Sequence, residues 1–439
     1  MRDLRYCLSV DKSMPMNWHQ AIPILLYIFS LGALGYREDV YIYSNYLGMS
    51  LAVYYAFTWL AARRPGIPAF VPWWAGYIVW LLVSGLIVAV YRAGVTGAAK
   101  TMVQLLVLTV IITTYVTSLR RLKLILWAIV IMAFIPLSGW VFGISEARYA
   151  EGAPGRLVGG ASQPNTFGAI LVVGAACGAV LFSMSRLKGK LIVLGLCICL
   201  SAGVVATASR GALVMLVFFL LAMYWFHYGV HLRSRYVQVL VGGACLAITL
   251  LVGWLFIQDT LLGERILDAF RAFQPSRLRA GYLPDRVFLA LQALKLFLKH
   301  PLTGIGINNF RFVSETGLYP HNNFLVILTG TGIVGAMLYF APFVVYWRKL
   351  KRVGKATSSE TVRTVTTHMR VLMVTLLAYG VFTDTWRQKF VACFIGLIFG
   401  SALALRNLAA LHAQYEDQET APEPESRAEA EAETIASVQ

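Results

Sequence analysis

Apolar runs about the length of a bilayer-crossing helix recur along almost the whole chain, broken by short clusters of glycine, proline and charge. Crossing the hydrocarbon core takes about 20 mainly apolar residues, because each backbone N–H and C=O must find its partner inside the segment. Read this way, the pattern predicts spans near 18–36, 41–61, 69–90, 100–118, 123–144, 166–185, 190–208, 212–230, 236–257, 322–347, 366–384 and 390–406. The expectation is an all-α polytopic membrane protein of about 12 transmembrane helices, with residues 1–415 as one membrane unit.

One stretch between spans is long. Residues 258–321 contain two helix-like pieces, Asp259 to Phe273 and Asp285 to His300, the second opened by Pro284 and closed by Pro301. Val287, Leu291, Leu294 and Leu298 there are interleaved with Arg286, Lys295 and Lys299, which suits a helix lying on a leaflet or capping the bundle. From Glu416 the composition turns to Glu, Ala and Pro, which predicts a disordered acidic tail over 416–439. No internal repeat is evident, and this weakens a transporter built from two related halves.

Charge orients the chain. The basic clusters Arg63/Arg64, Arg120/Arg121/Lys123, Arg186/Lys188/Lys190, Arg233/Arg235 and Arg348/Lys349/Lys351/Arg352/Lys355 fall on alternate loops. Lys and Arg accumulate on cytoplasmic loops, so the alternation predicts an even number of helices, both termini in the cytoplasm and the 258–321 loop outside. The net charge of +17 conceals an asymmetry: 8 of the 21 acidic residues lie from Glu416 onward, opposed only by Arg427. Residues 1–415 therefore carry 37 basic against 13 acidic groups. In a soluble protein that balance would point to nucleic acid. In a chain that is 58% hydrophobic, with a mean hydropathy of +0.67, it points to anionic membrane lipid at helix ends, and no nucleic-acid partner is expected.

Cys177, Cys197, Cys199, Cys245 and Cys393 fall in apolar runs and read as small packing residues, and the long loop has no cysteine to form a disulfide. The first apolar run lacks a small-residue cleavage site and leads directly into another span, so no cleavable signal peptide is expected.

Candidate chemistry lies in polar islands at the outer mouths of these spans: Arg156, Pro164-Asn165-Thr166-Phe167-Gly168, Ser209-Arg210-Gly211, Arg286, the segment from Gly304 to Phe310, and Pro320-His321-Asn322-Asn323. Arg210 sits between nearly uninterrupted apolar residues, where a charge is costly unless it is paired or faces a wet cavity. Two readings stand for it: snorkelling to the interface, or clamping an anion with the planar guanidinium fork that suits phosphate oxygens. Arg286 is a second cation that could act at the same place, or a solvated face residue. His321 has polar amides beside it at the start of a span, where a lone histidine reads either as structural or as a catalytic base. Neighbouring arginines would disfavour its imidazolium and keep it able to accept a proton. The Gly304/Gly306 segment lacks the strand context of a nucleotide loop. No carboxylate cluster with His or Cys suggests a metal, and Glu146, Glu151, Glu264 and Glu315 are scattered.

These residues resemble the O-antigen ligase and polymerase superfamily, its ligase branch in particular. His321-Asn322, nine residues, then Gly332-Ile333-Val334-Gly335 is similar to the family's H-N-x9-G-x-x-G pattern. Upstream, Pro164-Asn165 with Gly168, the Thr207–Gly211 run, and Arg286 followed by Pro301, Gly304 and Gly306 agree in order, so the likeness covers about residues 150–340. The resemblance implies a bacterial inner-membrane enzyme of GT-C-like architecture with its site facing the periplasm. It implies His321 as the essential histidine, Arg210 and Arg286 on the lipid diphosphate, and secondary roles for Arg156, Asn165 and Asn322. Neither cofactor nor metal is implied.

The substrates implied are a glycan on undecaprenyl diphosphate as donor and a sugar hydroxyl of lipid A-core as acceptor, joined with inversion. A polymerase of the same superfamily, or a ligase acting on protein hydroxyls, would use the same residues. From another class, a flippase could use the arginines to guide an anionic head group. Such a carrier needs a charged path through the bilayer, whereas the polar islands gather at one face.

Overall fold

In the computed structural model the described residues are 17–33, 41–61, 66–141, 149–150, 153–157, 164–228, 261–272 and 285–420, with 234–247 described in part. They form α1 (Trp18–Ala33), α2 (Tyr41–Ala61), α3 (Val71–Val88), α4 (Arg92–Tyr115) and α5 (Leu119–Val141). A short antiparallel hairpin, β1 (Tyr149–Ala150) and β2 (Ala153–Leu157), precedes α6 (Pro164–Ser183), α7 (Leu187–Ala206) and α8 (Arg210–Met223). Then come α9 (Leu261–Ala272), α10 (Asp285–Lys299), the single turn α11 (Phe310–Val313), α12 (Asn323–Ala356), α13 (Glu360–Tyr379) and α14 (Lys389–Thr420).

Seven of these helices, α3 to α7, α12 and α14, are long and apolar enough to cross a membrane, and α1 and α8 are shorter apolar helices. The protein is thus an all-α multi-pass membrane protein with one small hairpin. The expected span at 236–257 lies largely outside the described residues, so they do not fix the count at twelve. Helices α9 and α10 match the two pieces expected in the long loop to within a few residues. Helix α14 continues through Glu416 to Thr420, the first residues of the expected tail, and 421–439 lie outside the described residues. Ala, Gln and Glu there are good helix formers, and His412 contacts Glu416 one turn on at 3.5 Å.

Helices α6 and α14 are the most enclosed spans, with most of their central residues inside protein. Lipid tails are as apolar as leucine, so what holds such helices together is close packing and interhelical hydrogen bonding. The α4–α14 seam shows both. A side chain on Gly396 or Gly400 would press on Ile112 or Val116, and Thr109 and Thr113 donate across to the carbonyls of Ala392 and Gly396 at 3.4 and 3.3 Å.

Helix α12 is broken. Gly332 has φ 67° and ψ −171°, a conformation essentially reserved for glycine. The 301–305 loop crosses the chain at this break, where a Cβ on Gly332 would collide with the carbonyl of Leu302. Backbone groups freed by the break must be satisfied in a membrane. Ile333 N–H donates to Pro301 O at 2.8 Å, Ile305 N–H donates to Thr329 O at 2.9 Å, and the Trp80 indole donates to Thr331 O at 2.9 Å. The Gly332 of the sequence motif therefore marks where a loop docks into a discontinuous helix.

Helix α10 packs on the first half of α12 through Leu289 and Ala293, and Thr329 Oγ1 donates to Ala293 O at 3.2 Å. Leu291, Leu294 and Leu298 point away from this contact and stay exposed. The apolar stripe read from the sequence is thus the outer face of α10, free to meet a leaflet.

Candidate functional site

The first cation is delivered by a tight turn between α7 and α8. Ala208 takes the left-handed φ of 48°, and Ser209 caps α8 by accepting from the Ala212 N–H at 3.3 Å. Ser209 also donates to Asn165 Oδ1 at 2.9 Å, joining this turn to the start of α6. Gly168 permits the approach, since its Cβ would lie 2.6 Å from that of Ala212. Asn165 is therefore a positioning residue, and its carbonyl accepts from the Tyr379 hydroxyl at 2.9 Å. Arg210 emerges as the first residue of α8.

Past Tyr379 the chain turns through Gly380 to Phe382. Gly211 packs with its would-be Cβ 3.2 Å from that of Phe382, whose carbonyl accepts from Arg286 Nη1 at 3.3 Å. Phe382 thus lies between the Arg210 turn and the start of α10. Desolvation by burial lowers the Arg286 pKa, and the positive charge of Arg210 lowers it further. The structure thereby brings together two arginines that are 76 positions apart in sequence. Guanidinium nonetheless stays charged.

His321 stands at the same edge. It has φ 45°, a left-handed conformation that costs a non-glycine residue on the order of 1–3 kcal/mol. This turn releases the chain into α12, which Asn322 caps by accepting from Leu325 N–H at 3.1 Å. Asn322 accordingly holds the helix start, and Asn323 bonds Gly380 O and Trp386 N–H at 2.6 and 3.2 Å, pinning it to the α13–α14 connection.

Partial desolvation pulls the His321 pKa below the ordinary histidine value; Asp384 opposes this, while Arg286 and Arg387 reinforce it. Asp384 is itself held by Arg387, with Nη2–Oδ2 at 2.9 Å and Nε–Oδ2 at 3.1 Å. Arg387 also lies 4.9 Å over the Tyr319 ring, which meets His321 edge to face at 6.2 Å. Burial pushes the Tyr319 hydroxyl up to about 12, so it remains protonated at neutral pH.

The Gly304–Phe310 segment serves as a clamp. Gly306 (φ 86°) lets it approach Ala89, and Asn309 accepts from Tyr91 N–H at 2.6 Å and donates to Tyr91 O at 3.3 Å. Asn308 (φ 63°) donates to Gly94 O and accepts from the Tyr319 hydroxyl, both at 3.2 Å, linking the clamp to the residue beside His321. The three non-glycine residues with positive φ among the described residues, Ala208, Asn308 and His321, all lie in segments that build this face.

Of the residues singled out in the sequence, His321, Arg210, Arg286, Asn165 and Asn322 converge. Arg156 lies on β2, with its side chain outside the described residues. Asp384, Arg387, Tyr319 and Phe382 were not singled out. Their only sequence signal was a polar Asp-x-x-Arg island in the short loop before α14. Among the described residues no group of three or more His, Cys, Asp or Glu side chains could hold a metal.

Fold and site together describe a multi-pass helical membrane protein with a cationic, histidine-bearing cluster at one end of its bundle. A family model described as O-antigen ligase matches residues 195–340, the stretch that holds Arg210, Arg286 and His321. Over that stretch the chain is similar to the O-antigen ligase family, in line with the resemblance read from the sequence. No curated protein matches the sequence. Among solved structures, a chain of the assembly described as "Structural coordination of polymerization and crosslinking by a peptidoglycan synthase complex" is similar over 77% of this chain and 96% of that one. It is 15% identical with a TM-score of 0.43, too remote to bear on mechanism.

Proposed function

We propose that this protein is an inner-membrane glycosyltransferase that moves a glycan from undecaprenyl diphosphate to a sugar hydroxyl of lipid A-core, an O-antigen ligase. The observation that carries the reading is the convergence of Arg210, Arg286 and a pKa-depressed His321 at one edge of the bundle. Like charges held close repel, and a diphosphate offers oxygens to both guanidinium forks.

In this reading the bundle face is periplasmic and the isoprenoid tail lies against the helices. Neutral His321 accepts the proton of the acceptor hydroxyl as its oxygen bonds to the anomeric carbon. The anomeric C–O bond to the diphosphate breaks, and that electron pair leaves with the diphosphate, inverting the carbon. Charge grows on the leaving group as the bond lengthens, and fixed guanidinium donors stabilise it more in a desolvated site than water does. Asp384 and Arg387 tune the base: the carboxylate favours imidazolium, and the guanidinium that ties the carboxylate down limits this.

The test is transfer in proteoliposomes with purified lipid-linked glycan and lipid A-core, comparing wild type with His321→Ala and Arg210→Ala. Ligated product and free undecaprenyl diphosphate in equal amounts from wild type, and neither from well-folded variants, support the reading. Longer lipid-linked chains instead would make the protein a polymerase. Substrate movement without release of the diphosphate would make it a carrier.

A further inference from the structure

At the opposite end of the bundle the helices enclose a cavity that the proposed reaction does not use. Helix α4 is unbroken and runs from Gly94, which accepts from the Asn308 clamp, to Thr114, which lines the cavity, roughly 30 Å over 20 residues at 1.5 Å each, against a hydrocarbon core about 30 Å thick. The two sites therefore belong to opposite bilayer faces, whichever way the chain is oriented. The cavity has a volume of about 490 Å³, within the range of small-molecule sites, and its basic lining residues are Lys349, Arg352 and Arg406. No Asp or Glu lines it, and among the described residues no carboxylate pairs with any of the three.

Lys349 is held by packing, and Arg352 and Arg406 are exposed at the mouth. Lys349 Nζ sits 4.9 Å over the Tyr346 ring, which stacks on Phe399 at 4.0 Å. Lys349 also lies within electrostatic reach of Arg406. Like charges gathered at the mouth of a low-dielectric cavity repel, and a bound anion removes that repulsion.

The other wall adjoins an apolar chamber. Ile67, Pro68 and Thr114 are shared with a second cavity of about 370 Å³, which runs between α2, α3 and α4 along Val71, Val107 and Ile111. That chamber is lined almost wholly by apolar side chains. A cationic mouth at a membrane face with an apolar slot beside it has the polarity of one amphiphile, with a phosphate head and a hydrocarbon tail.

We propose that this double cavity is a binding site for an anionic glycerophospholipid of the leaflet opposite the transfer site, its phosphate on Lys349, Arg352 and Arg406 and one acyl chain between α2 and α4. Basic pockets between membrane helices are suited to such head groups, and each Lys or Arg near the surface contributes about 1 kcal/mol. The site is independent of the proposed transferase chemistry and contains none of its residues.

Native mass spectrometry of the full chain in detergent, titrated with phosphatidylglycerol or phosphatidylcholine, tests this. Phosphatidylglycerol should give a saturable one-lipid adduct at concentrations where phosphatidylcholine gives none. In K349Q/R352Q/R406Q the half-saturating concentration should rise about a hundredfold. On wild type, phosphatidylglycerol with a photoreactive acyl chain should label peptides containing Ile67–Val71 and Leu106–Thr114, a readout that does not depend on how the variant folds. Equal binding of the two lipids, labelling only elsewhere, or full displacement of the lipid by millimolar inorganic phosphate would overturn the proposal. The last result would mark a site for a soluble anion.

Discussion

Gly332→Ala should damage this protein far more than a buried glycine-to-alanine change in a helix ordinarily does. At φ 67° and ψ −171° an alanine costs on the order of 1–3 kcal/mol of backbone strain. Its methyl would also collide with the Leu302 carbonyl and lie 2.8 Å from the Thr303 nitrogen. Both partners are backbone and cannot swing aside as a side chain would, so overpacking adds a further ~1–3 kcal/mol. Relief requires the 301–305 loop to withdraw, which would break the Ile333–Pro301 and Ile305–Thr329 bonds that satisfy the interrupted helix. The total is roughly 2–6 kcal/mol. Gly195→Ala is the control, because a Cβ there meets nothing within 4 Å. Thermal midpoints read by fluorescence-detected size exclusion, together with transfer rates in proteoliposomes, should show Gly195→Ala near wild type. Gly332→Ala should melt several degrees lower and transfer at least tenfold more slowly, because the half-helix that begins at His321 loses its support. If Gly332→Ala melts and turns over like the control, the reading of α12 as a loop-docked broken helix is wrong.

Other expectations follow from the same geometry. The rate of transfer should rise with pH through an inflexion below the ordinary histidine value of 6.5, because a base works deprotonated and the His321 pKa is lowered. Asp384→Asn removes the influence that raises that pKa, so the inflexion should move to lower pH, and a shift upward in the pH–rate profile would contradict the assigned coupling. Arg286→Lys and Arg210→Lys should each slow transfer roughly a hundredfold in single-turnover assays, since a point charge cannot reproduce the fork; near-wild-type rates would argue against a diphosphate clamp. Ser209→Ala removes both the α8 cap and the bond to Asn165, and should lower stability by about 1 kcal/mol or more in thermal melts, with Ser209→Asn retaining part of the capping.

The sequence by itself determined the membrane character, most of the helices and the chemical type of the site residues. Length and hydropathy suffice there, because a bilayer leaves an isolated segment little choice but to satisfy its own backbone as a helix. The two helices of the long loop were legible for a related reason: Pro284 and Pro301 bracket the second one whatever it packs against. His321, Arg210 and Arg286 stood out because charge and imidazole at the mouths of apolar spans are costly without a purpose.

Only the tertiary structure decided how these groups stand to one another. Nothing local in the chain sets Arg210 beside Arg286; that follows from Phe382, which lies between Gly211 and Arg286 after a separate crossing of the bundle. Nothing in the sequence ties Asp384 and Arg387 to His321; the bonds of Asn323 to Gly380 and Trp386 set their loop against it. The outward turn of Leu291, Leu294 and Leu298 on α10 was likewise undecided, since periodicity identifies an apolar stripe without saying whether protein or lipid will cover it. Hydropathy is a property of a segment and can be read one segment at a time, whereas a site assembled from five of them depends on packing contacts whose two halves lie as much as 218 residues apart.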